Sequence, residues 1–339
     1  MRLPRSSRRG TSLTEVIIVT AMIAIMATAM SSLIIAVQRS FSSYEASSGI
    51  QTSAQAALNS IMTNLIQSKR LFDATADPAW LTAAETAGAP TGGPAIMPGS
   101  RLPTIQVGGS FSPSSSTFSP SSVGNQLYFL SVDPPQSMTI ANQSGTMLPA
   151  LIDAYHFNLY YLTYGSGAGF AGSPPIALQQ WQSVSFADYQ EMANLADGVM
   201  TINAAAAMWA AGYRYAIDTT TAAAINGFYS INAAGLMSVI GPVVPLKSTK
   251  PMIKILTGVS GYSYHYSVSP NTTAAFTHLY PVPVFATAAA PFPAGFETMI
   301  VGSNSARQVY ARLVLVAGGA FKGYKATGPN VSATVRDQY

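Results

Sequence analysis

From Val16 to Val37 the chain runs 22 residues without a charge, VIIVTAMIAIMATAMSSLIIAV. As a helix this run is about 33 Å long, enough to cross the hydrocarbon core of a bilayer. Its polar members are only Thr20, Thr28, Ser31 and Ser32. Arg2, Arg5, Arg8 and Arg9 precede it, so the basic flank is expected to hold the N-terminus on the cytoplasmic side and place the bulk of the chain outside. A carboxylate, Glu15, stands at the threshold of the run. Deep in hydrocarbon such a group costs about 3 kcal/mol, so a partner is expected for it. Cutting the chain after Gly10 would create one, because the new α-amine of Thr11 lies four positions before Glu15.

The segment RRG-TSLTE followed by an unbroken apolar helix resembles the class III signal of type IV pilins and type II secretion pseudopilins. The resemblance covers roughly the first 40 residues, where leader charge, glycine, glutamate offset and apolar length must all agree. It implies cleavage by a prepilin peptidase between Gly10 and Thr11 and methylation of Thr11. It also implies an assembly salt bridge from Glu15 to the Thr11 amine of a neighbouring subunit. The implied partners are the peptidase, other pilin or pseudopilin subunits, an inner-membrane assembly platform and membrane lipid. Two other readings use the same residues. Ala27-Thr28-Ala29 offers an A-x-A site for a secretory signal peptide, and an uncleaved single-pass anchor would leave Glu15 at the interface.

No proline occurs between Arg39 and Pro78. Phe41, Tyr44, Ile50, Ala54, Leu58, Ile61, Leu65 and Phe72 follow near-helical spacing, which predicts an amphipathic helix over 39–72 continuing the apolar segment 11–38. The whole helix from Thr11 to Phe72 would be about 93 Å long, with Lys69 and Arg70 in its last turn and a bend at Ser47-Ser48-Gly49.

The remaining 267 residues, 73–339, are expected to form an extracytoplasmic head. Residues 87–124 turn to Gly, Pro and Ser and read as a long surface loop. Strands are predicted over 125–132, 155–164, 262–268, 279–287 and 309–317. Helices are predicted from Ser185 to Leu195, with Asp188 in a capping role, and from Asn203 to Ala211, making 176–250 a partly helical insertion. The expected fold is α+β: a long N-terminal helix, membrane-spanning in front and amphipathic behind, packed on an antiparallel sheet.

Composition narrows the function. Charged residues make up 9% of the chain and cysteine is absent, so disulfides, thiolate metal sites and cysteine nucleophiles do not arise. The formal charge of +4 belongs entirely to the four leader arginines. After Gly10 there are 13 basic and 13 acidic residues, which gives no global bias toward nucleic acid. Lys247, Lys250 and Lys254 are the one local basic group, a weak argument for a DNA-uptake or adhesive pilin. His156, His265 and His278 lack metal-ligand spacing, and Gly167–Gly172 spells G-x-G-x-x-G but runs into Pro174-Pro175, which forbids a phosphate-binding helix. The carboxylates do not cluster as a catalytic pair. The expectation is a structural, non-enzymatic subunit without a cofactor; a membrane-anchored binding or enzymatic domain is the alternative.

Overall fold

In a computed structural model the described residues are 12–74, 100–106, 123–164, 176–188, 191–192, 194–213, 215–218, 224–231, 237–240, 252–255, 296–303, 306–313, 315–318, 324–327 and 330–335. The leader 1–10 and Thr11, the Gly167–Gly172 run, Lys247, Lys250, His265, His278 and the strands expected over 262–268 and 279–287 lie outside them.

Helix α1 spans Leu13–Ile66 as one element of 54 residues and continues through Ser47-Ser48-Gly49 without a break. Its apolar front is exposed on all sides, from Leu13 through Val37. Its back half is amphipathic: Ile50, Ala54, Ala57, Leu58, Ile61 and Leu65 form one buried stripe. The expected stripe began too early. Phe41 and Tyr44 are 72% and 74% exposed, whereas Ile50 is 4% exposed. At 100° per residue the two aromatics lie about 120° around the helix from the mean direction of the buried stripe, so they cannot continue it.

The helix also stops before the expected Phe72. Gln67 caps it, and Ser68–Phe72 forms strand β1. Strand alternation is the reason: Leu71 joins the cluster against α1 while Phe72 points to the opposite face. Arg70, Leu71 and Phe72 pair antiparallel with Leu130, Phe129 and Tyr128. Lys69 and Arg70 therefore do not serve the helix C-terminus; Arg70 lies over the Phe72 ring at 5.7 Å.

The strands that follow are β2 (Ile105–Gln106), β3 (Leu127–Ala141), β4 (Met147–Tyr164), β5 (Ile176–Gln182), β6 (Phe186–Asp188), β7 (Tyr215–Asp218), β8 (Ala224–Ile231), β9 (Met237–Ile240) and β10 (Met252–Ile255). Toward the C-terminus come β11 (Phe296–Ser303), β12 (Ala306–Leu313), β13 (Leu315–Gly318), β14 (Tyr324–Thr327) and β15 (Asn330–Val335). A nine-stranded sheet runs β1-β3-β4-β6-β7-β8-β9, with β5 on β4 and β10 on β5; a second runs β15-β12-β11-β2, and β13 pairs β14. Pairing is antiparallel except at β6–β7 and β11–β2. The fold is thus α+β.

Several expectations change. The strands over 125–132 and 155–164 extend into a long β3–β4 hairpin, and 309–317 is divided between β12 and β13. Residues 176–250, expected to be partly helical, contain strands β5 to β9 together with helix, and Lys254 lies in β10. Ser185 caps no helix; it leads into β6, whose Phe186 and Asp188 are buried. Within the expected helix 185–195 Glu191 and Met192 are helical, and helix α2 spans Gly198–Ala210 with Asp197, not Asn203, at its start. Asp197 accepts from Met200 N–H at 2.7 Å and from Gln143 N–H at 3.1 Å, and Asn203 donates to the Ala141 carbonyl at 2.7 Å, so both tie α2 to the hairpin tip. Part of the expected loop 87–124 is also structured. Ile105–Gln106 joins β11, and Gly124 bridges Thr298 where an added Cβ would sit 2.4 Å from Pro103 N.

The core under α1 draws on both sheets: Leu127, Phe129, Tyr160, Leu162 and Leu178 from one, Phe296, Ile300, Val309, Ala311 and Leu313 from the other. A polar ladder crosses its sheet side. Gln180 donates to Asn158 at 2.9 Å, Asn158 donates to Ser131 at 2.8 Å, and Asn64 of the helix donates to the Tyr160 hydroxyl at 2.6 Å. The opposite face of the larger sheet carries Phe72, Tyr128, Phe157, Trp181 and Phe186, with Phe72 stacked on Tyr128 at 4.5 Å.

Leu58 and Phe41 sit on the same helix in opposite situations, which gives a direct test. Leu58→Ala is expected to destabilise the head by about 2–5 kcal/mol in urea denaturation of the detergent-solubilised chain, and Phe41→Ala to change it by less than about 0.5 kcal/mol. Equal losses would contradict this division of the helix.

Candidate functional site

The entry to α1 is a closed hydrogen-bond pair. Ser12 is the N-cap with φ −69° and ψ 148°; its N–H donates to Glu15 Oε2 at 3.0 Å, and the Glu15 N–H donates to Ser12 Oγ at 3.3 Å. This is a capping box, and it sets the Glu15 carboxylate at the positive end of the helix dipole. Its Ser-x-x-Glu signature is plain in Ser12-Leu13-Thr14-Glu15. Thr11, Gly10 and the arginines Arg2, Arg5, Arg8 and Arg9 fall outside the described residues, so the structure places Glu15 alone among the expected processing and assembly residues.

Beyond the cap, three of the four hydroxyls of the apolar run fold back on their own helix. Thr28 Oγ1 donates to the Ala24 carbonyl and Ser32 Oγ to the Ala29 carbonyl, both at 2.8 Å. Thr20 does the same to Val16. The outward surface is therefore apolar, as a lipid-facing helix requires. The helix is long and apolar enough to span a membrane. Ala27-Thr28-Ala29 lies in its middle.

The head holds two polar clusters that the sequence did not reveal, because their members come from separate strands. In the first, His156 Nδ1 meets Asp133 Oδ1 at 2.7 Å, and Ser185 Oγ donates to Asp133 Oδ2 at 2.5 Å. Burial raises the Asp133 carboxyl, but the hydrogen bonds from His156 and Ser185 outweigh it and hold the group below its ordinary value. Serine and histidine both address the carboxylate rather than each other, so the order needed for a base-activated serine is not formed.

The second cluster gathers on Lys69. Its Nζ lies 3.7 Å from Asp188 Oδ2, contacts the Tyr155 hydroxyl and sits 4.4 Å from the centre of the Tyr155 ring. Tyr155 donates to Asp153 Oδ2 at 3.2 Å, and the Asp153 N–H donates to Glu191 Oε2. Burial and the neighbouring Asp188, Asp153 and Glu191 charges push the Tyr155 hydroxyl far up. Glu191 is also raised, by burial first and then by Asp153 and Asp188, against the lowering hydrogen bond from the Asp153 N–H. Of these carboxylates Asp188 faces Lys69, and no cluster of three or more metal-ligating side chains occurs among the described residues. The arrangement links β1 with the inner strands β4 and β6, near the C-terminus of α1.

Compared with protein-family models, with curated proteins and with solved structures, the chain finds no match.

A raised carboxyl pKa sets a sign. Above the ordinary value of 4.5 the unfolded chain releases the Glu191 proton first, so stability falls as pH rises through the window up to the folded value and stays reduced above it. Glu191→Gln keeps the acceptor and removes the charge. It is expected to raise the thermal midpoint at pH 7 and to leave it unchanged at pH 4; an equal gain at both pH values would assign the effect to packing.

Proposed function

We propose that this chain is a structural, pilin-like subunit. It is made with a basic leader, cut after Gly10 by a prepilin peptidase, methylated at Thr11 and held in the inner membrane by α1 until it joins a filament or pseudopilus. The observation that carries the reading is the junction itself: a basic leader ending in Gly10, a carboxylate at Glu15, and an exposed apolar helix that continues without a break into the core of the head. Glu15 would pair with the Thr11 amine of a neighbouring copy, a contact favoured where lipid or packed helices exclude water. The bulk of the head supports a minor component, at a tip or an initiation complex, over a shaft subunit. Nothing in the reading asks the head for catalysis, and the mature chain, formally neutral, supports protein and lipid rather than nucleic acid as partners.

The test is the N-terminus of the protein extracted from membranes. A mature chain starting at Thr11 with one added methyl is expected; a chain starting at Met1 or Met30 would overturn the proposal. Glu15→Ala should leave cleavage intact and lower the fraction recovered in filaments several-fold.

A further inference from the structure

Between the exposed apolar run and the buried stripe lies a length of helix in which Ser42, Ser43 and Ser47 are half-buried. Val37 ends the charge-free run and Ile50 is the first buried residue, so 12 residues lie between them, with about 20 Å of helix from one to the other. Two large apolar side chains stand on this stalk, Phe41 and Tyr44, three residues apart and therefore on one face. Phe41 lies about 150° and Tyr44 about 90° around the helix from the buried stripe, and both are exposed. Counting from Val37, their Cα atoms lie about 6 Å and 10 Å beyond the hydrocarbon, against a headgroup layer of about 5–8 Å per leaflet. Helical side chains lean toward the N-terminus, which here is toward the bilayer, and that lean brings both rings back into the layer.

We infer that Phe41 and Tyr44 form an interfacial anchor that inserts into the glycerol and headgroup layer of the outer leaflet and fixes the height and rotation of the head above the membrane. The occupant of this face is phospholipid, because the face is continuous with a helix long and apolar enough to span. An apolar ring in each residue, with a hydroxyl on the outer one alone, suits a layer that grades from hydrocarbon to water. Contact of this kind is non-ionic, so it is expected in zwitterionic and anionic lipid alike. The inference rests on the membrane-spanning reading of α1 and is independent of whether the subunit enters a filament.

The chain contains no cysteine, so single nitroxide labels can be placed without altering any native thiol. Labels are introduced as Ile34→Cys, Ser40→Cys and Ser144→Cys in the full-length protein, dilute in phosphatidylcholine vesicles, and their collisions with oxygen and with a water-soluble nickel chelate are measured. The Ile34 label should be shielded from nickel and the Ser144 label, at the exposed hairpin tip, open to it. With Phe41→Ser and Tyr44→Ser together, the nickel-to-oxygen ratio at Ser40 should rise several-fold while Ile34 stays shielded; Phe41→Trp with Tyr44→Trp should keep the original ratio. An unchanged ratio at Ser40 in the serine pair would overturn the anchor. So would spin–spin broadening between Ser40 labels at low protein-to-lipid ratio, which would give the face to a second copy. If Ile34 is as open to nickel as Ser144, the spanning reading itself has failed.

Discussion

Six side chains on one helix face, Ile50, Ala54, Ala57, Leu58, Ile61 and Leu65, hold the head together, since residues from two sheets meet against them. Burying each of the four large members contributes about 1.5–3 kcal/mol, and the neighbouring alanines let the strands approach the helix. The buried stripe starts at Ile50, and the apolar front from Leu13 to Val37 is exposed. A 54-residue helix with an uncovered apolar front needs a second environment, and that need is the physical origin of the functional reading.

The polar interactions follow from the same division. Within the head, polar side chains meet across strands: Lys69 with Asp188, His156 with Asp133 by a hydrogen bond, and Glu297 with Arg312, the last in register across β11 and β12 with Glu297 fully buried. Removing one partner of such a pair strands the other, so these contacts specify strand register more than they add stability. On the uncovered front of α1 the only charge is Glu15, and it is satisfied locally by the Ser12 N–H. That hydrogen bond uses one carboxylate oxygen and lowers the cost of carrying the group at the edge of the apolar run before any neighbour arrives.

Features set by local patterning were legible in the sequence, and those set by distant pairing were not. The apolar length of 16–37, the 3.6-residue stripe from Ile50 to Leu65 and the aromatic strands beginning near Leu127 and ending at Tyr164 are local, and the structure has them. Phe41 and Tyr44 fit a helical spacing with each other, but their phase places them on another face than Ile50 to Leu65. Ser68–Phe72 was read as helix because nothing in its own residues announces strand, and its pairing partners lie some 60 residues later in β3. Asp188 looked like half of a helix cap at three residues from Ser185, yet its partner is Lys69, in a strand 119 residues earlier. For the candidate site, Glu15 was legible and its Ser12 partner was equally present in the sequence. The His156–Asp133–Ser185 cluster was not, since it forms only when β3, β4 and the residue before β6 come together.

The central claim is that α1 is one helix in two independent environments, and amide hydrogen exchange in lipid vesicles tests it most directly. With the head unfolded by urea, amides 50–65 should lose their protection together with β3 and β4, while amides 16–37 keep theirs. Simultaneous loss of protection over 16–37 and 50–65 would show that the front of the helix depends on the head for its cover, and would contradict the account.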